Sequence, residues 1–226
     1  MQQIPLPVNI SDYMIFESFF AGTNDHIYKL LQTNEQKFLW IAGEKGTGKT
    51  HLLQAKVNQI NHHQSKLMYL PMRELKQFSP EILDDLDQMD LICIDDIDLV
   101  LGSKIWEEKL LDLYERIQNT KTVFIASSKD SPYGGNFLIQ DLLSRYSTAL
   151  VLRLNVLKDK DVVKAIQLHA KIRGFDLSDD SAKFLLRRVR RDVCSLIEVI
   201  EVLDYESLAK KRKLTIPFIK SVLNIK

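Results

Sequence analysis

The chain has 226 residues, 45% of them hydrophobic and 27% charged, enough to bury a core as one large domain or as a medium domain with a small companion. Its 31 Lys and Arg against 30 Asp and Glu leave a formal charge of +1, which argues against a surface that grips nucleic acid over its whole extent but allows a local basic patch. Cys93 and Cys194 are too few for a disulfide framework, and the five histidines form no metal-ligand spacing. No apolar run of about 18 residues and no charged-then-apolar leader occurs, so a cytoplasmic globular protein with no membrane partner is expected.

In chain order, Phe38-Leu39-Trp40-Ile41-Ala42 reads as a buried strand, followed by a Gly-rich turn and a helix from Thr50 to Asn61. Leu67 to Leu70 is the next strand, ended by Pro71, and a helical stretch is expected around Pro80 to Met89. Leu91 to Ile94 is a third strand. A helix from Ile105 to Gln118 follows, with Leu110, Leu113, Tyr114 and Ile117 on its apolar side. Thr122 to Ala126 and Ala149 to Leu154 complete five strands. Near-continuous apolar strands separated by helices indicate an α/β domain with a parallel sheet covered on both faces.

Beyond Leu157 the strand signal stops. Asp159 to Ile172 reads as a helix stopped by Gly174. Ser178 opens a second, with Asp179 and Asp180 at its positive end, Asp192 caps a third to about Lys210, and Thr215-Ile216-Pro217 opens a short last one. The expected organisation is an N-terminal peptide over 1–12, an α/β nucleotide-binding domain over 13–156 and a small helical domain over 157–226.

Gly43-Glu44-Lys45-Gly46-Thr47-Gly48-Lys49-Thr50 satisfies G-x-x-x-x-G-K-[ST], after a strand and before a helix. Glycines let backbone N–H groups turn around a phosphate chain, and the helix start adds partial positive charge. Lys49 would reach the outer phosphates and Thr50 would ligate Mg²⁺. Leu91-Ile92-Cys93-Ile94-Asp95-Asp96 ends a buried strand in two carboxylates. Asp95 is expected near the metal and Asp96 where it can orient an attacking water, with Cys93 a small core residue. An apolar strand ending in Asp is common by itself; its position after a phosphate loop gives it weight. Arg145 lies between the fourth and fifth strands, and on its own reads as a surface arginine in a salt bridge. The basic run Lys210 to Lys213 reads as a solvated helix end rather than a DNA contact.

Taken together, the phosphate loop, LICIDDID, FESFFAGTND, DLLSRY and RGFDLSDDSAKFLLRRV resemble the AAA+ ATPases of the bacterial initiator DnaA group. The likeness covers almost the whole chain and is strongest to the branch whose members inactivate the initiator, an ending similar to KLTIPFIKSVL included. An initiator would continue into a helix-turn-helix DNA-binding domain, which is not expected here. Gln3-Ile4-Pro5-Leu6-Pro7-Val8 is similar to the QL[SP]LPL peptide by which such regulators dock on the sliding clamp of DNA polymerase III. Such a peptide needs a Gln to hydrogen-bond, aliphatic side chains to fill a pocket and prolines to lower the entropy cost of staying extended. Ile4 and Val8 depart conservatively from Leu, Ile4 in shape only and Val8 by one methylene, about 1 kcal/mol of pocket filling.

The resemblance implies more residue by residue. Phe16, Phe19, Gly22 and Asn24 fall in the segment that flanks the adenine, Phe16 and Phe19 equally suiting a core role. Ser127 and Ser128 fall near the position called sensor 1. Arg145 becomes an arginine finger acting in trans. Cys194 stands where the sensor 2 arginine is expected, with Arg190 and Arg191 nearby as substitutes. The function implied is a regulator of replication initiation. It would hold ADP or ATP with Mg²⁺, reach DNA only through the clamp, and stimulate hydrolysis of DnaA-bound ATP, its own hydrolysis being secondary. The competing readings are a DnaA-like or loader-like ATPase assembling on copies of itself, and, less well matched, a small-molecule kinase.

Overall fold

The structure, a computed structural model, describes residues 10–33, 35–60, 65–189 and 192–225. Five apolar runs form the strands β1 (Phe38–Ala42), β2 (Leu67–Pro71), β3 (Leu91–Asp95), β4 (Val123–Ser128) and β5 (Leu150–Arg153). They pair in parallel in the order β2-β3-β4-β1-β5. The covering helices are α1 (Asp25–Gln32), α2 (Lys49–Ile60), the single turn α3 (Met72–Leu75), α4 (Lys104–Ile117) and α5 (Gln140–Tyr146).

Period-2 geometry divides each strand between two cores. Leu39 and Ile41 of β1, with Leu91 and Cys93 of β3, meet Ile27 and Leu31 of α1 and Leu52, Leu53 and Val57 of α2. Trp40, Ile92, Ile94 and Phe124 point to the opposite face, against Leu110, Leu113 and Ile117 of α4 and Leu142 and Tyr146 of α5. Tyr146 is fully buried, its ring 5.4 Å from Phe38, 5.8 Å from Phe124 and 5.9 Å from Trp40. Such tilted and edge-on ring pairs fix α5, the helix that also carries Arg145, in one orientation. On the α1 and α2 side, the Lys56 ammonium donates to Leu31 O, Thr33 O and Gln59 Oε1 at 2.7, 2.9 and 3.0 Å. It satisfies carbonyls at the C-terminal end of α1, and burial pulls its pKa down to about 8.

After β5 come α6 (Asp159–Ile172), α7 (Asp179–Arg188), α8 (Val193–Lys210) and α9 (Ile216–Leu223). They share a separate core of Val162, Ile166, Ala170, Leu185, Leu196, Ile200, Leu203, Phe218 and Ile219. The expected caps form: Ser178 Oγ accepts from Ser181 N at 3.3 Å, Asp192 Oδ1 accepts from Ser195 N at 2.9 Å, and Gly174 ends α6 at φ +89°. Among the described residues, no helix is long and apolar enough to cross a membrane.

One expected element differs. Pro80 to Met89 is not an α-helix but two short 3₁₀ turns, Pro80–Leu83 and Leu86–Gln88, separated by Asp85 at φ +58°. Leu83 and Leu86 still bury their side chains. The turns are held from outside by α4, where Lys109 meets Asp84 at 2.8 Å and Arg116 meets Asp87 at 3.1 Å, so tertiary ion pairs override a local helical pattern. Three helices not expected from the sequence, α1, α3 and α5, are short, with 8, 4 and 7 residues.

A buried carboxylate ties α4 to α5. Glu107, with no exposed surface, accepts from Gly102 N at 2.8 Å, Leu138 N at 2.9 Å and Ile139 N at 2.7 Å. Ile139 is the residue just before α5. Glu107→Ala removes three charge-assisted bonds from a fully buried carboxylate and should cost about 3 kcal/mol or more, lowering the thermal midpoint by roughly 6–12 °C. Glu108→Ala, which loses only an exposed pair to Lys104 at 3.7 Å, should change it by roughly 2 °C or less. Scanning calorimetry of the two variants checks the contrast.

Candidate nucleotide site

The loop between β1 and α2 lies at the carboxyl edge of the sheet and lines a cleft of about 770 Å³. Ligands in open parallel sheets bind at this edge, and the volume falls in the range of small-molecule sites. Gly46 and Gly48 take φ +83° and +96°, the left-handed region that lets successive N–H groups converge on an anion. A Cβ on Gly48 would stand 2.6 Å from the Phe19 ring, so glycine is required there by space as well as by torsion. Lys49 is buried, its Nζ donating to Gly43 O at 2.7 Å and Glu44 O at 3.2 Å, which holds the ammonium inside the turn of the loop. Thr47 Oγ1 braces the same turn by donating to Glu44 O at 2.8 Å. Lys45 and Thr50 also line the cleft.

Across β4, Asp95 ends β3 with both oxygens engaged: Ser127 Oγ donates to Oδ1 and the Tyr69 phenol donates to Oδ2 at 2.9 Å. Ser127 Oγ also accepts from Asp96 N at 3.0 Å, so the residue expected near sensor 1 stitches the two carboxylate positions together. Ser128 has a different task, its Oγ accepting from Trp40 Nε1 at 2.7 Å. Asp96 stands at φ +53°, and Arg73 holds its Oδ2 at 2.8 Å. Burial, with Asp96 nearby, holds the Asp98 carboxyl above its usual range, against the opposing pull of Lys49.

Ala165 of α6 and Val193, Ile197, Glu198 and Glu201 of α8 form the facing wall. Asp192, which caps α8, places its Cβ 3.1 Å from where a side chain on Gly46 would begin. Arg173, the residue that caps the end of α6, fastens this wall to the N-terminal segment. Its guanidinium lies 4.1 Å over the Tyr13 ring, pairs with Glu201 and with Asp204 at 3.6 Å, and donates to His169 Nε2 at 3.1 Å. Phe19 stacks on Tyr28 at 6.2 Å and meets His51 edge-on at 5.3 Å, on the cleft side, whereas Phe16 is buried in the core against Tyr28. Asn24 lines the cleft, but both ends of its amide serve the backbone of Asn155, donating to O at 3.0 Å and accepting from N at 2.8 Å.

These residues fit a Mg²⁺-nucleotide. The glycine turn and buried Lys49 suit a phosphate chain. Thr50 and Asp95 both line the cleft and are the residues that would hold a divalent ion beside such phosphates. Arg145 is not on this cleft. It lies half-exposed on α5, 3.4 Å from Asp141. Gln3, Ile4, Pro5, Leu6, Pro7 and Val8, together with Arg190, Arg191 and the Cys194 side chain, lie outside the described residues. Arg73, Tyr69 and Asp98 were missed by motif reading. Asp98 was visible inside LICIDDID, while Arg73 and Tyr69 carry no local signal.

Two family models divide the chain. The one for the bacterial DnaA ATPase domain matches residues 11–153, and the one for the lid domain of Hda matches residues 159–223. An uncharacterized protein of Haemophilus influenzae is 38% identical over 229 residues, covering 99% of each chain. Domain III of the Thermotoga maritima replication initiation protein DnaA superposes with a TM-score of 0.77 at 19% identity, over 96% of this chain and 98% of that one. AMPPCP-bound DnaA from Aquifex aeolicus gives 0.70 at 21% over 90% and 70%, and the Thermotoga maritima RuvB branch migration motor 0.64 at 17% over 93% and 73%. The structural likenesses show the AAA+ fold.

Gly48→Ala should weaken binding of a fluorescent ADP analogue at least tenfold and lower the thermal midpoint, because the new methyl meets the Phe19 ring in a torsion alanine avoids. A second expectation concerns acid. Burial, then Arg173 and His51, lowers the His169 pKa from 6.5 to about 4. The unfolded chain therefore takes up this proton first, and stability falls as pH drops from about 6.5 to about 4, by up to about 3 kcal/mol. In urea titrations across that window, His169→Gln should lose less stability than the parent; equal slopes would refute the assignment.

Proposed function

The chain belongs to the DnaA-type AAA+ family, with an Hda-type lid, and within that family we propose that it is a nucleotide-bound regulator acting in trans on ATP-loaded DnaA. The observation that carries this reading is the place of Arg145: off its own cleft, half-exposed, and paired with Asp141 of its own helix at 3.4 Å. An exposed i,i+4 pair is worth about 0.3–0.5 kcal/mol, so the guanidinium is readily given up to a stronger anion. Presented to ATP held by a neighbouring initiator, it would meet the charge that develops on the transferring phosphoryl oxygens, an effect worth about 10³–10⁵-fold in rate. Glu107 and the rings around Tyr146 hold α5 rigid for that task.

On this reading the chain's own cleft chiefly holds nucleotide. Backbone N–H groups of Gly43 to Thr50 and the Lys49 ammonium would bind the phosphates of ADP or ATP, and Thr50 and Asp95 would hold Mg²⁺, which neutralises phosphate charge when bound. Arg73 engages the Asp96 carboxylate that would orient water, which fits a chain that retains nucleotide more than it turns it over. The peptide Gln3 to Val8 would dock on the sliding clamp and concentrate the protein on clamp-loaded DNA. The consequence would be ADP-bound, inactive initiator and suppression of re-initiation.

A second reading, a self-assembling ATPase that needs no DnaA, draws on the presence of Lys49, Thr50, Asp95 and Asp96 on one cleft. Single-turnover hydrolysis of ATP preloaded on DnaA, with clamp-loaded DNA present, separates the two. The first predicts clamp-dependent stimulation that falls to background in Arg145→Ala with clamp binding retained, and that is also lost in Gln3→Ala. Normal stimulation by Arg145→Ala would remove the finger assignment. Hydrolysis by the chain alone that climbs steeply with its concentration would establish the second reading.

A further inference from the structure

The hydrogen bonds that hold Asp95 do not end at the sheet. The Tyr69 phenol, on β2, donates to Asp95 Oδ2 and accepts from Gln54 Nε2 of α2 at 3.4 Å, the longest link. Gln54 Oε1 accepts the backbone N–H of Ser11 at 3.0 Å. One turn further along α2, Asn58 Nδ2 donates to Ser11 O at 3.0 Å and Met14 O at 2.9 Å. Two side chains therefore connect the backbone of the N-terminal segment to a carboxylate on the far side of the phosphate-loop helix.

Gln54, Tyr69 and Asp95 are 6%, 5% and 4% exposed, so water does not readily replace any partner in the chain. Burial, with Asp95 beside it, pushes the Tyr69 phenol well above its usual range, and it stays a donor at any physiological pH. Ser127 from β4 and Tyr69 from β2 grip the two oxygens of Asp95 from opposite sides, which fixes the plane of the carboxylate. A hydroxyl placed this way orients a metal-binding carboxylate, and such outer partners typically affect metal affinity by 10–100-fold.

We propose that Tyr69 is a positioning residue for Asp95 and that, with Gln54, it couples Mg²⁺-nucleotide binding in the cleft to the order of the Ser11–Met14 segment. The coupling rests on the nucleotide site proposed above. It is reciprocal by linkage: whatever orders or displaces Ser11–Met14 changes the affinity for Mg²⁺-nucleotide by the same factor.

The test is to titrate a fluorescent ADP analogue into the full chain with Mg²⁺ and with EDTA, and to follow hydrogen exchange over residues 11–14. The parent should bind more tightly with Mg²⁺ than with EDTA, and Mg²⁺-ADP should slow exchange over 11–14. Tyr69→Phe should cut the Mg²⁺-to-EDTA affinity ratio roughly tenfold, a ratio that general loosening, acting on both affinities, does not move. It should also abolish the slowing. Gln54→Met breaks the chain one link earlier and should likewise lose the slowing, with a ratio between those of the parent and Tyr69→Phe. An unchanged ratio in Tyr69→Phe overturns the positioning role, and equal slowing in all three proteins overturns the coupling. Should Tyr69→Phe fail to fold, Gln54→Met decides alone, retained slowing overturning the coupling and lost slowing supporting it. A parent chain that binds no nucleotide in either buffer overturns the nucleotide site itself, and this inference with it.

Discussion

The phosphate loop and the Asp95 carboxylate grow from strands that are not neighbours. β4 lies between β1 and β3, so the two strand ends stand about two inter-strand spacings apart, roughly 10 Å. That gap can hold phosphate oxygens and an ion, provided the strand in the middle contributes nothing bulky at its end. β4 is apolar through Ala126 and then turns to Ser127 and Ser128. Ser127 fills the gap with a hydroxyl rather than an aliphatic group, holding Asp95 and the Asp96 backbone together. A leucine at this fully buried position would overpack the sheet and leave Asp95 and the Asp96 N–H without that partner.

The remaining charges arrange themselves around that gap. Asp95, Asp96, Asp98, Glu198 and Glu201 all border the cleft, an acidic set that would repel a nucleotide if left bare. Several are already occupied: Asp96 by Arg73, Glu201 by Arg173, and Asp95 by two hydroxyls. Lys49 is held close to the carbonyls of the loop, where an arriving phosphate would meet it without any large rearrangement. Hydrogen bonds within the chain thus hold these side chains in place around the cleft, and side chains fixed in this way lower the ordering cost of binding.

What the sequence disclosed and what it withheld follow from how local each signal is. The loop Gly43 to Thr50 and the strand ending in Asp95 are contiguous, so type and spacing sufficed to read them, as did the caps Ser178 and Asp192. Asp85 breaks the expected helix because Lys109 and Arg116, more than 20 positions away, claim the neighbouring carboxylates. Arg73, Tyr69 and Glu107 act on partners 23, 26 and up to 32 positions off, where no short motif can mark them. Asn24 was legible as a cleft residue through family likeness, but its bonds to Asn155, 131 positions on, exist only in the fold.

That last pair has a mechanical consequence. Because Asn24 clamps Asn155 in both directions, the connection between that clamp and α6, which begins at Asp159, is only residues 156–158. A 14-residue helix is about 21 Å long, and it works as a lever arm on a three-residue pivot. A twist of about 10° at the pivot would carry its far end, where Arg173 lies over Tyr13, through roughly 4 Å. That is comparable to the separation of the cation and the ring itself, so small torsional changes beside the nucleotide would be amplified into the making or breaking of that one contact at the far end of the lid.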